Sequence, residues 1–206
     1  MTISYPLALP DTRGFRGLSL RPVAQVAHSR SPFTGEGQFY AHQGQIWAAQ
    51  FDLPPMRRAD AEPWVAFLLS LNGMQGTFLA GIAGSDVPRG IATGAPVVNG
   101  ASQTGQVLLT DGWTPSQTGI LKAGDLIQLG TGADTHLHKV LADANSDGAG
   151  AATLDIWPRL RVSPLDNAAI VVAGCKGLWR LASNEMPIEF SQPVIYSLSF
   201  GALEAI

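Results

Sequence analysis

The chain has 206 residues, 46% of them apolar, with 13 Lys and Arg against 16 Asp and Glu for a formal charge of −3. That is enough apolar material to bury a real core, in one domain or in one domain carrying a smaller insert, so disorder is excluded. Neither sign of charge gathers into a run, which argues against specific nucleic-acid binding and against an anionic membrane surface as partner.

The opening, MTISYPLALPDTRG, lacks the basic start and continuous apolar stretch of a secretory signal. No later stretch offers about 18 uninterrupted apolar residues, so synthesis in the cytoplasm without membrane insertion is expected. Cys175 is the single cysteine; it rules out an internal disulfide and a thiolate-held metal cluster, and reads as a small core or strand-end residue. The 23 Gly and 14 Pro punctuate short segments rich in Val, Ile, Leu and Phe, the pattern of a mainly β protein.

In chain order, the arm from Met1 to Gly17 and the polar loop from Ser29 to Gly44 are poor in periodic apolar residues and are expected to order only in an assembly. QIWAAQFDL, residues 45–53, alternates as a half-buried strand, with Trp47, Ala49, Phe51 and Leu53 opposed by Gln50 and Asp52. RRADAEPWVAFLLSLNG then changes the period. Trp64, Phe67, Leu68 and Leu71 fall at i, i+3, i+4 and i+7, the single stripe of a helix that lies on a sheet. Asp60 and Glu62 sit near its positive end, Pro63 is placed in the first turn, and Asn72-Gly73 supplies the stop. Strands are expected for TFLAGI from 77, QVLLT from 106, DLIQLG from 125, THLHKVLA from 135, ATLDIW from 152, AIVVA from 169 and LWRLAS from 178. In the last run, VIYSLSFGALEA, Val194, Tyr196, Leu198, Phe200 and Ala202 share one face, opposed by Ser197, Ser199 and Gly201.

Two loose seams, residues 81–105 and 157–167, bracket several strands with their own turns, GWTPSQTG, LKAGD, GTGAD and NSDGAG. Residues 86–163 are therefore expected to form a small β module inserted into a host domain made of 1–85 and 164–206; one continuous sandwich is the alternative.

Candidate chemistry is sparse. Asp143, Asn145, Asp147 and Gly148 open like a calcium loop, but the twelfth residue is Leu154 where a bidentate acid is needed, and the flanks are strand-like. A turn that closes on its own Asn and Asp, with Gly148 and Gly150 at positive φ, is the reading preferred, an ion held on the three side-chain oxygens being the alternative. His136 and His138 share a strand face and could reach one metal, but lack a third ligand nearby in sequence; a pair of exposed strand histidines is expected, with His28 and His42 in polar loops. Hydrolase, phosphate-loop, zincin and dinucleotide motifs are missing, and the carboxylate pairs Asp52 with Asp60 and Asp143 with Asp147 have no spacing that argues for acid–base work. Neither a cofactor nor catalysis is expected. Many loop glycines and apolar edge strands suit an assembly subunit instead.

Three stretches, LPPMRRADAEPWVAFLLSLNGMQGTFLAG (53–81), GWTPSQTGILKAGDLIQLG (112–130) and HKVLADANSDGAGAATLDIWPRLR (138–161), together resemble the distal tail proteins of long-tailed bacteriophages. The strand, Pro-Pro, helix, GTFL run and the DGxGxxTLxIWPxLR run occur in the same order, and the resemblance covers the chain from about residue 45 onward. It implies a tail-tube-like β-sandwich with one flanking helix. It further implies a virion structural protein of the tail tip, a hexameric ring that connects the tail tube to the hub or fibre proteins and lets DNA pass, made in the bacterial host cytoplasm. Many members carry a galectin-like domain after the ring domain, whereas here the additional β module is expected inside it. The alternative is a carbohydrate-binding or host-recognition β module, for which Trp113 and Trp157 are the candidate stacking platforms.

Overall fold

The computed structural model describes residues 3–12, 14–82, 84–191 and 195–206. Among the described residues the chain is mainly β with a single α-helix. Strands β1 (Gly17–Val23), β2 (Val26–Arg30), β3 (Gly37–Ala41), β4 (Ile46–Asp52) and β5 (Met56–Arg57) precede α1 (Arg58–Ser70), which is followed by β6 (Phe78–Gly81). Next come β7 (Gly94–Val98), β8 (Gly105–Trp113), β9 (Leu126–Leu129), β10 (His136–Val140), β11 (Ala152–Leu160) and β12 (Ile170–Val171). The chain ends with β13 (Lys176–Leu181), β14 (Glu189–Ser191), β15 (Ile195–Ser197) and β16 (Ser199–Glu204).

The host domain is built on an antiparallel sheet in the order β1-β4-β16-β13-β6. Its alternating strands turn Phe51, Phe78, Trp179 and Phe200 to one side, where the rings meet at centroid distances of 5.2 to 6.0 Å. Onto this aromatic floor α1 lays its stripe: Trp64, Phe67, Leu68 and Leu71 are all buried, together with Ala61. Burying such side chains supplies roughly 1.5–3 kcal/mol each, and that, more than helix propensity, fixes α1 here.

The helix starts earlier than expected. Met56 and Arg57 are held extended by pairing with Tyr196 and Ile195, and α1 begins at the next residue. Pro63 therefore lies in the second turn, not the first, and its missing N–H leaves the Ala59 carbonyl without that helical partner. The stop is as the dipeptide demands, with Asn72 and Gly73 both at positive φ, 50° and 66°.

The final apolar run is shared between two sheets. β15 joins the small sheet β14-β15-β5, whereas β16 sits between β4 and β13. Tyr196, Leu198, Phe200 and Ala202 are buried on one face throughout; Val194 lies outside the described residues.

The arm expected to wait for an assembly is instead folded onto its own subunit. Leu7 donates its N–H to the Thr77 carbonyl (2.8 Å) and accepts from the Leu79 N–H (3.1 Å), so it covers the β6 edge. The Tyr5 hydroxyl bonds the Ser70 carbonyl at the end of α1 (2.7 Å), and Phe15 packs at a tilt against Phe51 and Trp64. Tyr5, Leu7 and Leu9 alternate, which is the period such an edge requires.

The second body is a sheet in the order β12-β9-β10-β11-β8-β7. A bridge between Val97 and Ala169, with the Val98 N–H on the Ala168 carbonyl (2.9 Å) and the Asn167 N–H on the Val98 carbonyl (2.9 Å), brings its two ends together. The result is a small closed barrel around its own core of Val98, Leu108, Ile127, Val140, Leu154 and Ile156. It takes in Ile170–Val171, beyond the boundary expected at residue 163, because that short strand pairs with Leu129 and Gln128. Strand β9 is buried on both faces: Ile127 and Leu129 fill the barrel, while Leu126 joins the host core with Leu137.

Candidate functional site

Host and barrel are locked by one buried polar cluster. The Arg161 guanidinium pairs with the Glu204 carboxylate, both side chains being almost fully buried. Arg161 Nη1 also donates to the Gln45 carbonyl (2.6 Å), and Glu204 Oε2 accepts the Trp47 N–H (3.0 Å). Gln45 Oε1 takes the Arg159 N–H (2.9 Å), Trp47 Nε1 donates to the Leu137 carbonyl (3.1 Å), and the Trp47 and Trp157 rings meet edge-on at 4.2 Å. A charge this deep is tolerated because each oxygen and most of the guanidinium donors are engaged.

From this anchored stem the hairpin β2–β3 projects. The polar loop expected at 29–44 contains most of it, and there the expectation of an unstructured loop is corrected. Val26 pairs with Ala41, Ala27 with Tyr40, His28 with Phe39, Ser29 with Gln38 and Arg30 with Gly37. The turn is built by Ser31, whose Oγ accepts the N–H groups of Phe33 (3.3 Å) and Thr34 (3.2 Å), while the Ser31 N–H bonds the Glu36 carbonyl (2.9 Å). Alternation puts Val26, His28, Phe39 and Ala41 on one face, with the His28 and Phe39 rings stacked at 4.6 Å. The other face carries Tyr40 and Ala27. Every residue of both strands is exposed, and Phe33 at the tip (95%), Phe39 (71%) and Tyr40 (68%) are among the barest aromatic side chains described.

Beside the hairpin, β1 has a neighbour, β4, on one side only. Pro22, which has no N–H, and Arg21 shorten the stretch to which another strand could pair. The hairpin faces, more than this edge, are the unpartnered surface.

The other candidate residues fall elsewhere. Asp143 accepts from the Ala123 N–H (2.9 Å) and from Lys122 Nζ (2.9 Å), Asn145 Oδ1 from the Gly119 N–H (2.7 Å), and Asp147 Oδ1 from the N–H groups of Ala149 and Ala151 (2.8 Å each). These bonds hold the carboxyls of Asp143 and Asp147 below the usual range. The three side chains thus close a turn that caps one end of the barrel. Of the two glycines expected at positive φ only Gly150 (80°) takes it; a Cβ there would strike the Trp113 carbonyl oxygen. Among the described residues, three or more His, Cys, Asp or Glu side chains nowhere gather in a way that could hold a metal ion.

His136 and His138 are not an exposed pair. His138 is 2% exposed, His136 half-buried. Burial pushes the His138 imidazole down to about 4, against the opposing pull of the Pro158 carbonyl, which accepts the Nδ1–H at 2.7 Å. Trp113 is buried with its Nε1 on Thr110 Oγ1 (2.8 Å), and Trp157 packs on Trp47, so both indoles serve the interior. Cys175 is buried and its thiol is pushed up to about 11 by that burial, the opposite of what a nucleophile needs. Asp52 ends β4 and Asp60 lies in the first turn of α1.

Sequence reasoning missed Asp125. Its side chain is buried, and it accepts from the N–H groups of Lys122 (2.8 Å), Arg89 (3.0 Å) and Gly90 (3.0 Å) and from Arg89 Nε (3.2 Å). Burial raises its pKa, but these bonds outweigh that and hold it lowered. The turn motif LKAGD was the available signal; the partners from residues 89–90 were not legible.

No protein-family model matches the chain, and no curated protein proves similar to it. Among the described residues no helix is long and apolar enough to cross a membrane.

Proposed function

We propose that this chain is a structural protein of the tail tip of a long-tailed bacteriophage. Copies of it assemble into a hexameric ring that joins the tail tube to the hub or fibre proteins and leaves a central passage for DNA. The observation that carries this reading is the hairpin β2–β3, exposed on both faces and tipped by Phe33. An isolated two-stranded hairpin is marginally stable in water, and exposed clustered aromatics mark a contact surface. A projecting element that meets a different surface on the next copy makes a heterologous contact, the kind that closes rings.

Two further features support it. The three stretches that resemble distal tail proteins fall on the β5–α1–β6 unit, on the segment from the end of β8 through β9, and on β10–β11. The Arg161–Glu204 cluster fixes Gln45 at the stem of the hairpin. The role is mechanical, without a catalysed reaction. The protein is made in the bacterial host cytoplasm and ends in the virion, with the tube protein on one side of the ring and hub or fibre proteins on the other.

Negative-stain images of the purified full chain test this reading: rings with an open centre are expected, and isolated globular particles at every concentration would refute it.

A further inference from the structure

The barrel is plugged at one end by residues 114–121 and 141–151, knit together through the Ser146 Oγ bond to the Thr114 carbonyl (2.6 Å) and the Asn145 bond to Gly119. At the other end is a cavity of about 420 Å³, lined by Leu129, Leu160, Ala168, His138, Arg161 and Leu165 among others. Leu129 and Leu160 are core residues of the barrel, so the cavity is the barrel's own mouth. Val162 and Leu165, both exposed, frame its rim. A volume of a few hundred Å³ in the mouth of a β-barrel suits a small organic ligand.

Its polar lining is Thr131, Asp134, His136, His138, Arg161 and Ser163. The Pro158 carbonyl takes the Nδ1–H of His138, because Pro158 stands opposite it on β11. That fixes the tautomer and leaves Nε2 an acceptor with no protein partner assigned to it. Arg161 lines the same cavity with its Nε–H buried and unpartnered, while its charge is matched by Glu204. His136 is half-buried beside them, and Asp134 sits exposed at the edge. The apolar wall is aliphatic, with no aromatic face on which a sugar ring could stack.

We propose that the barrel mouth binds a small uncharged molecule with an apolar body and one hydroxyl group, the chemistry of a phenol or a cyclic alcohol. The hydroxyl donates to His138 Nε2; the body lies against Leu129, Leu160 and Ala168. A carboxylate is disfavoured, since the Arg161 charge is already neutralised by Glu204 and Asp134 stands at the edge.

Calorimetry on the full chain, with the imidazole resonances of His138 followed by NMR, tests this with three probes. p-Cresol should bind saturably, shift the His138 signals, and bind about tenfold tighter than toluene, which lacks the hydroxyl. 4-Hydroxybenzoate should bind more weakly than p-cresol. His138→Phe should erase the preference for p-cresol over toluene, and Ala168→Trp should block all three probes. If Ala168→Trp does not fold, Leu165→Trp at the exposed rim serves the same purpose. Equal binding of toluene and p-cresol, tighter binding of the carboxylate, or no saturable binding by any probe overturns the proposal. The ring reading is tested by particle shape and stands or falls separately.

Discussion

Barrel and hairpin are made of the same material, short antiparallel strands joined by Gly and polar turns, yet they solve the edge problem in opposite ways. The barrel joins its first and last strands through Val97 and Ala169 and buries a core of its own. The hairpin buries nothing: both its faces are solvent-facing, and its one regular ladder is internal. Closure joins the barrel's edges within one subunit, whereas the hairpin leaves both faces bare, and on the reading proposed above a neighbouring copy covers them. Partners are therefore to be sought at the hairpin, and substitutions in each region should separate the two.

The largest effect belongs to the joint. Glu204→Ala leaves the Arg161 guanidinium buried and unpaired, so urea denaturation should show a loss of about 3–5 kcal/mol. Within the barrel, Leu154→Ala opens a cavity at a fully buried position and should cost roughly 2–5 kcal/mol by the same measurement.

His138 gives the barrel a pH dependence. Its folded value, about 4, lies below the ordinary 6.5, so between these pH values the unfolded chain binds the extra proton. The contribution is complete above pH 6.5 and is lost as pH falls towards 4, roughly 3 kcal/mol in all. The charged groups that act on the ring are His136 and Arg161, both of which lower its pKa further, while Glu204 and Asp134 act on His136. Thermal melts between these limits should show a steeper decline for the wild type than for His138→Gln, whose amide can still donate to Pro158. Smaller again is Asp147→Ala, which frees the N–H groups of Ala149 and Ala151 at the barrel's capped end; about 1 kcal/mol should be lost in the same denaturation assay.

The sequence made α1 legible because Trp64, Phe67, Leu68 and Leu71 keep one period and one buried side, and β4 and β16 because their alternation survives intact. It hid the hairpin for the converse reason: strands exposed on both faces carry no alternation to read. Closure of the barrel depends on Ile170–Val171 and a single bridge at Val97, too short for any pattern. Burial of His138 rests on the carbonyl of Pro158, a partner twenty residues away, and the arm at Tyr5, Leu7 and Leu9 showed alternation that was weak only because prolines interrupt it. The candidate contact region was thus legible as a position, residues 29–44, but not as a structure.

Phe39→Ser with Tyr40→Ser should leave monomer stability within about 0.5 kcal/mol of wild type, since both side chains are exposed. The same pair provides the decisive measurement, the native mass of the full chain before and after the double change. A closed multimer is expected for the wild type and a monomer for the variant; a wild type that stays monomeric, or a variant that assembles as well as the wild type, would refute the ring proposal.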